Sequence, residues 1–271
     1  MPRYKMILSY DGTNYHGWQN QKNSLSIQAV LEEKLSILLK DKVTIIGASR
    51  TDKGVHALEQ VAHFSYKEII DPSKLHYSMN CILPKDIRIL LLEEALENFH
   101  ARFDAKSKTY RYFMTTKMPN VFERFYVYHI RRRIDPELMQ KALGYFLGTH
   151  NFLTFANDST KGTALTKPVK NVMDISLKEK NNLLVFEITA DGFLYKMVRN
   201  IVGTLIGVGA KKISPEEIVE IIKKKDRNII PSPALASGLF LIKVQYTNQK
   251  EKKGSTILEN KETLQLFESN L

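Results

Sequence analysis

The sequence predicts a mixed α/β (α+β) protein of two lobes with mainly antiparallel sheets. Two observations carry this. Strand-like alternation recurs at residues 4–10 and 108–116, and after each run the order strand, helix, strand, strand, helix, strand is nearly repeated along 271 residues.

In the first half, Tyr4, Met6, Leu8 and Tyr10 alternate with Lys5, Ile7 and Ser9, and Asp11-Gly12 closes the run. Ser26 is an N-cap for a helix whose apolar residues Ile27, Val30, Leu31, Leu35, Leu38 and Leu39 share one face. Two strand-like runs follow, residues 42–46 and 60–64, then a short helix over 72–79 and a continuous apolar strand over 87–92. The order is β-α-β-β-α-β.

The second half opens with the strand at 108–116. Asp135-Pro136 is an N-cap and N1 pair for a helix through Phe146. Strands follow at 169–177 and 183–190, then an apolar helix over 194–208. Ser214 and Glu217 form a capping box for a helix through Lys225, and a last strand covers 239–246. This is the ferredoxin-like, RRM-like plan with one helix added. The expected division is an N-terminal lobe over 1–105, a C-terminal lobe over 106–247 and a tail over 248–271, with a basic cleft between the lobes as the natural ligand site.

Lys and Arg number 40 against 29 Asp and Glu, a net charge of +11. The tail carries Lys250, Lys252, Lys253 and Lys261 against Glu251, Glu259, Glu262 and Glu268, so the whole excess lies in the body. The excess suits a polyanion partner, because neutralised phosphates release counterions; a lysine-rich solvated surface produces the same number. Cys81 is the single cysteine, which excludes an intramolecular disulfide and a multi-cysteine zinc site. No apolar run approaches the ~18 residues of a membrane span, and the N-terminus shows no signal-peptide core. These traits fit a cytoplasmic protein. No phosphate-binding loop, G-x-G-x-x-G, H-E-x-x-H or C-x-x-C occurs, and the seven histidines show no metal-ligand spacing. No metal is expected.

The stretch GASRTDKGVHA, residues 47–57, concentrates Arg50, Asp52, Lys53 and His56 on one connection between strands. A hairpin needs only a turn residue or two. Asp52 reads either as a turn carboxylate or as an ionised nucleophile or base kept charged by a nearby arginine, and Arg50 lies two positions away. Arg199, inside the apolar run 192–203, is either a helix arginine at the sheet edge or the partner of an acid. Tyr110, among Lys106, Lys108 and Arg111, is either a core tyrosine or a base-stacking one, and Tyr112 shares its face.

Taken together, these segments resemble the TruA-type tRNA pseudouridine synthases. The carriers are YHGWQNQ (15–21), SRTDKGVHA (49–57), FHAR (99–102), KSKTYRY (106–112), GTHNF (148–152, with Asn151 where the family carries an acid) and FLYKMVRNIVG (193–203). The resemblance spans roughly residues 4–246. It implies a homodimeric, cofactor-free isomerase that makes pseudouridine at uridines 38, 39 and 40 of the tRNA anticodon stem-loop. It implies Asp52 as nucleophile, Arg50 as the arginine of the same loop, Arg199 as the arginine that pairs with the aspartate, and Tyr110 as the tyrosine on the target base. Arg102, Lys106, Lys108, Arg111 and His56 are the further substrate contacts expected. The reading from another class is an RNA-binding protein without catalysis, in which Asp52 and Arg50 are a structural pair.

Overall fold

The computed structural model describes residues 1–157, 166–180 and 182–247; the tail expected at 248–271 lies outside them. The protein is mixed α/β with mostly antiparallel strand pairing, as the element order predicts. Its chain divides into two compact units, Met1–Lys106 joined by the segment from Leu241 onward, and Ser107–Phe240.

In the first unit, β1 (Arg3–Tyr10) is central. It pairs antiparallel with β3 (His56–Ser65) on one side and β4 (Ile87–Ala95) on the other. The alternation is realised strictly: Tyr4, Met6, Leu8 and Tyr10 are buried, and every other residue of β1 is half-buried. Two helices cover the unit's core. In α1 (Ile27–Leu39) the Ser26 hydroxyl accepts the Ala29 N–H at 3.2 Å, and Ile27, Val30, Leu31 and Leu35 are buried. In α2 (Pro72–Ile82) Asp71 caps the amides of Ser73 and Lys74, with Leu75 and Met79 inward. Burying each such Leu, Ile or Met contributes about 1.5–3 kcal/mol. The last strand, β10 (Leu239–Tyr246), lies beside β3.

One expected strand is largely absent. Of residues 42–46 only Ile46 pairs, within β2 (Ile46–Gly47), opposite His63. Val43 and Ile45 are buried, but their amides donate to the Ser36 hydroxyl (3.3 Å) and the Glu32 carboxylate (2.9 Å) on α1. Helix side chains thus satisfy the donors that a ladder would have taken.

In the second unit the strand order is β5-β9-β8-β7, for β5 (Ala105–Thr115), β7 (Gly148–Asn151), β8 (Val169–Lys180) and β9 (Leu183–Ala190). A two-residue strand, β6 (Tyr128–His129), runs parallel to the end of β5. Asp135 caps α3 (Pro136–Leu143), and the expected continuation to Phe146 tightens into a 3-10 turn. The apolar helix α4 (Met197–Gly209) starts three residues later than expected, because Lys196 takes a left-handed conformation (φ 59°). Of the expected capping box one half is present: Glu217, the first residue of α5 (Glu217–Lys224), accepts the Ser214 amide at 2.6 Å, while the N-cap is Glu216 without a side-chain bond. Among the described residues no helix is long and apolar enough to cross a membrane.

Candidate active site

The Asp52 loop is held from beneath, above and behind. Its turn closes when the Val55 amide donates to the Asp52 carbonyl at 3.1 Å, and Gly54 sits at φ 77°, which favours glycine. The segment 15–18 lies against this turn. Trp18 N–H donates to the Thr51 carbonyl (3.0 Å), and Gly54 N–H donates to the Tyr15 carbonyl (3.3 Å). Gly17, at φ 91°, lets the two backbones touch: a Cβ there would overlap the Thr51 carbonyl and stand 2.9 Å from the Asp52 carbonyl carbon. Trp18, 2% exposed, packs against the bare face of Gly47.

Behind the loop, Gln60 is fully buried and its amide reads Ser49 twice. Its Nε2 donates to the Ser49 carbonyl at 2.8 Å, and its Oε1 accepts the Ser49 N–H at 3.2 Å. The Tyr10 hydroxyl meets the Thr51 hydroxyl at 2.8 Å. Gln60 belongs to none of the sequence motifs. Its signal is that, with His63, it is one of two polar residues in the buried stretch of β3 from Gln60 to Phe64.

Asp52 is half-buried at the turn, with Lys53 exposed beside it and Lys53 Nζ 3.3 Å from His16 Nε2. Arg50 is exposed. Partial desolvation, and then the like charge of Arg102, pull its guanidinium below the ordinary arginine range. His56, expected among the substrate contacts, is 1% exposed. Its Nδ1 accepts the Gly12 N–H at 3.1 Å and lies 3.0 Å from the Asp11 carboxylate, so in this structure it ties the end of β1 to the loop.

Arg102 and Lys106 are exposed in the same unit, downstream of β4. The FHAR segment rests on His63, whose Nδ1 accepts the Ala101 N–H at 3.1 Å. Burial first, then the His100 and Arg3 charges, push the His63 imidazole down to about 4. A proton on its Nδ1 would also displace that amide bond.

The second unit carries the other expected residues. Tyr110 is 5% exposed, edge-on to Phe193 at 5.1 Å. Its neighbour Tyr112 is fully buried and donates its hydroxyl to the Leu235 carbonyl at 2.7 Å; burial drives that phenol well above the usual tyrosine range. Twelve residues of α4 are buried, and Arg199 is the one that is not. Its Nε donates to the Ala234 carbonyl (2.8 Å), and the Ala234 amide donates back to the Arg199 carbonyl (3.0 Å). Gly203, one turn on, admits the same strap, since a Cβ there would stand 2.5 Å from the Ser232 carbonyl. Lys108 is half-buried on β5, and Arg111 makes two bonds to Glu187 Oε2 on β9 at 2.8 and 2.6 Å. Among the described residues no three His, Cys, Asp or Glu side chains gather to hold a metal ion.

Comparison with known proteins shows the family. The family model described as tRNA pseudouridine synthase matches residues 6–104 and 142–247. A protein named tRNA pseudouridine synthase A 1, from Protochlamydia amoebophila, is 46% identical over 248 residues, covering 91% of this chain and 97% of its own. The tRNA pseudouridine synthase A of Acetivibrio thermocellus is 44% identical over 247 residues, covering 91% of this chain and all of its own. That of Thermoanaerobacter sp. is 42% identical over 249 residues with the same coverage.

Proposed function

The chain belongs to the tRNA pseudouridine synthase family, isomerases that convert uridine to pseudouridine in tRNA, and on that premise we propose that Asp52 is its nucleophile and the anticodon stem-loop its target, at uridines 38, 39 and 40. The observation that supports Asp52 is its presentation. It is a half-buried carboxylate at the first position of a turn, in a loop whose backbone is bonded to the segment 15–18 and, at Ser49, to Gln60.

The reaction breaks the bond from uracil N1 to ribose C1′, turns the base and joins C5 to C1′; the C5 proton leaves and N1 takes one up. The isomerisation is redox-neutral. A carboxylate can serve it by attack on C1′, by addition to the base or by taking a proton from the sugar. Each route needs an ionised acid shielded from water. On the family motifs, Arg199 is the arginine that pairs with the aspartate, Arg50 the arginine of the same loop, and Tyr110 the tyrosine that packs on the extruded base. Extrusion costs a few kcal/mol. Arg102, Lys106 and Lys108 add cations for the tRNA backbone, while Arg111 and His56 act through the contacts described above. We further propose a homodimer in the cytoplasm; a strict monomer by light scattering would count against it.

The test is a pseudouridine map. Unmodified tRNA transcripts are incubated with wild type or D52A, treated with a carbodiimide that marks pseudouridine, and read by primer extension. Stops at anticodon-arm uridines with wild type alone are expected, with tRNA binding retained by D52A. Equal stops with D52A would remove Asp52 from the chemistry, and stops elsewhere in the tRNA would move the target.

A further inference from the structure

Phe103 is 75% exposed, yet its ring is held in place. It stacks on His100 with centroids 4.1 Å apart and planes 26° apart, and His100 in turn meets the His63 ring edge-on at 4.9 Å. The turn beneath is fully bonded. His100 N–H donates to Asp104 Oδ2, Ala101 N–H to His63 Nδ1, Arg102 and Phe103 N–H to His100 Nδ1, and Asp104 N–H to the His100 carbonyl, all between 2.8 and 3.2 Å. Arg3 and Tyr246 secure the carbonyls of Phe99 and Ala101, each at 2.6 Å.

An exposed phenylalanine on so rigid a turn leaves apolar ring surface in water. Water gives no reason to fix it, since the ring would keep more rotamer freedom on a mobile loop. Phe103 is flanked in the chain by Arg102 and by Asp104, whose carboxylate is bonded to the His100 amide. The Arg102 guanidinium lies 5.9 Å from the ring centroid, and its charge reaches Arg50 of the Asp52 loop. A rigid aromatic face beside cations is how proteins hold unpaired nucleobases, the ring taking the base and the cations the phosphates.

We propose that Phe103 is a stacking platform for an unpaired base of the tRNA, held by the turn 100–104 beside Arg102, the cation whose charge reaches the Asp52 loop. This rests on the reading of that loop as the tRNA-modifying site. It adds a binding residue outside the contacts named so far, and it selects for RNA in which a base near the target is unstacked.

The experiment measures tRNA affinity by filter binding for wild type, F103A, F103L and F103W, alongside pseudouridine yield. F103A and F103L are expected to weaken binding about five- to a hundredfold, the loss typical of one base–aromatic stack. F103W should restore it, because leucine keeps the apolar volume and only tryptophan keeps the π-face. F103W also supplies a signal. Trp18, the protein's one tryptophan, is 2% exposed, so new emission from position 103 stands over a shielded background and should be quenched saturably by tRNA. Affinities within twofold of wild type for F103A and F103L, or unquenched F103W emission at saturating tRNA, would overturn the proposal. So would a changed oligomeric state in F103A with unchanged affinity, which would give the ring to a second copy of the chain. A wild-type protein that binds tRNA but forms no pseudouridine would defeat the proposed function, while the binding and quenching arms still decide the role of Phe103.

Discussion

The Trp18 amide donates to the Thr51 carbonyl at 3.0 Å, one residue before Asp52, and Gly17 is the residue that allows it. The early YHGWQ segment is therefore part of the scaffold of the Asp52 loop. G17A would place a Cβ against the Thr51 carbonyl and strain a backbone at φ 91°. We expect pseudouridine formation to fall about a hundredfold, the scale of a 1 Å misplacement of a reacting group. Wild-type turnover in G17A would show that the loop does not depend on this approach.

Gln60 should act on rate more than on binding. Q60A leaves both the Ser49 N–H and its carbonyl without their buried partner, at about 1–3 kcal/mol. The expected result is a lowered thermal midpoint and a kcat reduced at least about tenfold, while KM for tRNA moves little. A change confined to KM would instead place Gln60 in substrate binding.

Arg199 faces out of an otherwise buried helix, so its replacement should spare the fold. Lysine lacks the Nε that donates to Ala234 and the fork that fixes the charge. R199K is expected to keep the wild-type circular dichroism and melting point within a few degrees and to lose about a hundredfold or more in kcat, as for removal of a preorganised charge donor. Unimpaired turnover would make Arg199 a structural arginine.

His63 predicts a pH dependence of stability. Its folded value, about 4, lies below the ordinary histidine value near 6.5. The neutral form is the folded one, so its contribution is complete above about pH 6.5. As the pH falls from there towards 4, the unfolded chain takes up a proton that the folded protein refuses, and up to about 3 kcal/mol is lost. Urea midpoints at pH 7 and pH 4.5 should therefore fall further for wild type than for H63Q. Equal losses in both would show that another group carries the acid sensitivity.

Much was legible locally. The alternation of β1, the Ser26 and Asp135 caps, and the Ser214–Glu217 bond are written in spacings of two to four residues, because strand pleat and helix turn repeat at those intervals. The charged residues of GASRTDKGVHA left Asp52 open between a turn carboxylate and a catalytic acid; the reaction was legible only through the resemblance of several ordered segments to one family.

Tertiary structure decided what depends on partners distant in the chain. Residues 42–46 look like a strand, but Val43 and Ile45 give their amides to Ser36 and Glu32 on a helix. Gln60 looks like one polar residue in a strand until its amide meets Ser49 across the hairpin. His63 acquires its lowered proton affinity from burial first and then from the His100 and Arg3 charges, while its Nδ1 accepts the amide of Ala101, 38 positions away. A periodic pattern records which face of an element is apolar. It does not record which polar group that face will meet, and that meeting decides that Gln60 holds Ser49 and that His63 holds the Ala101 amide.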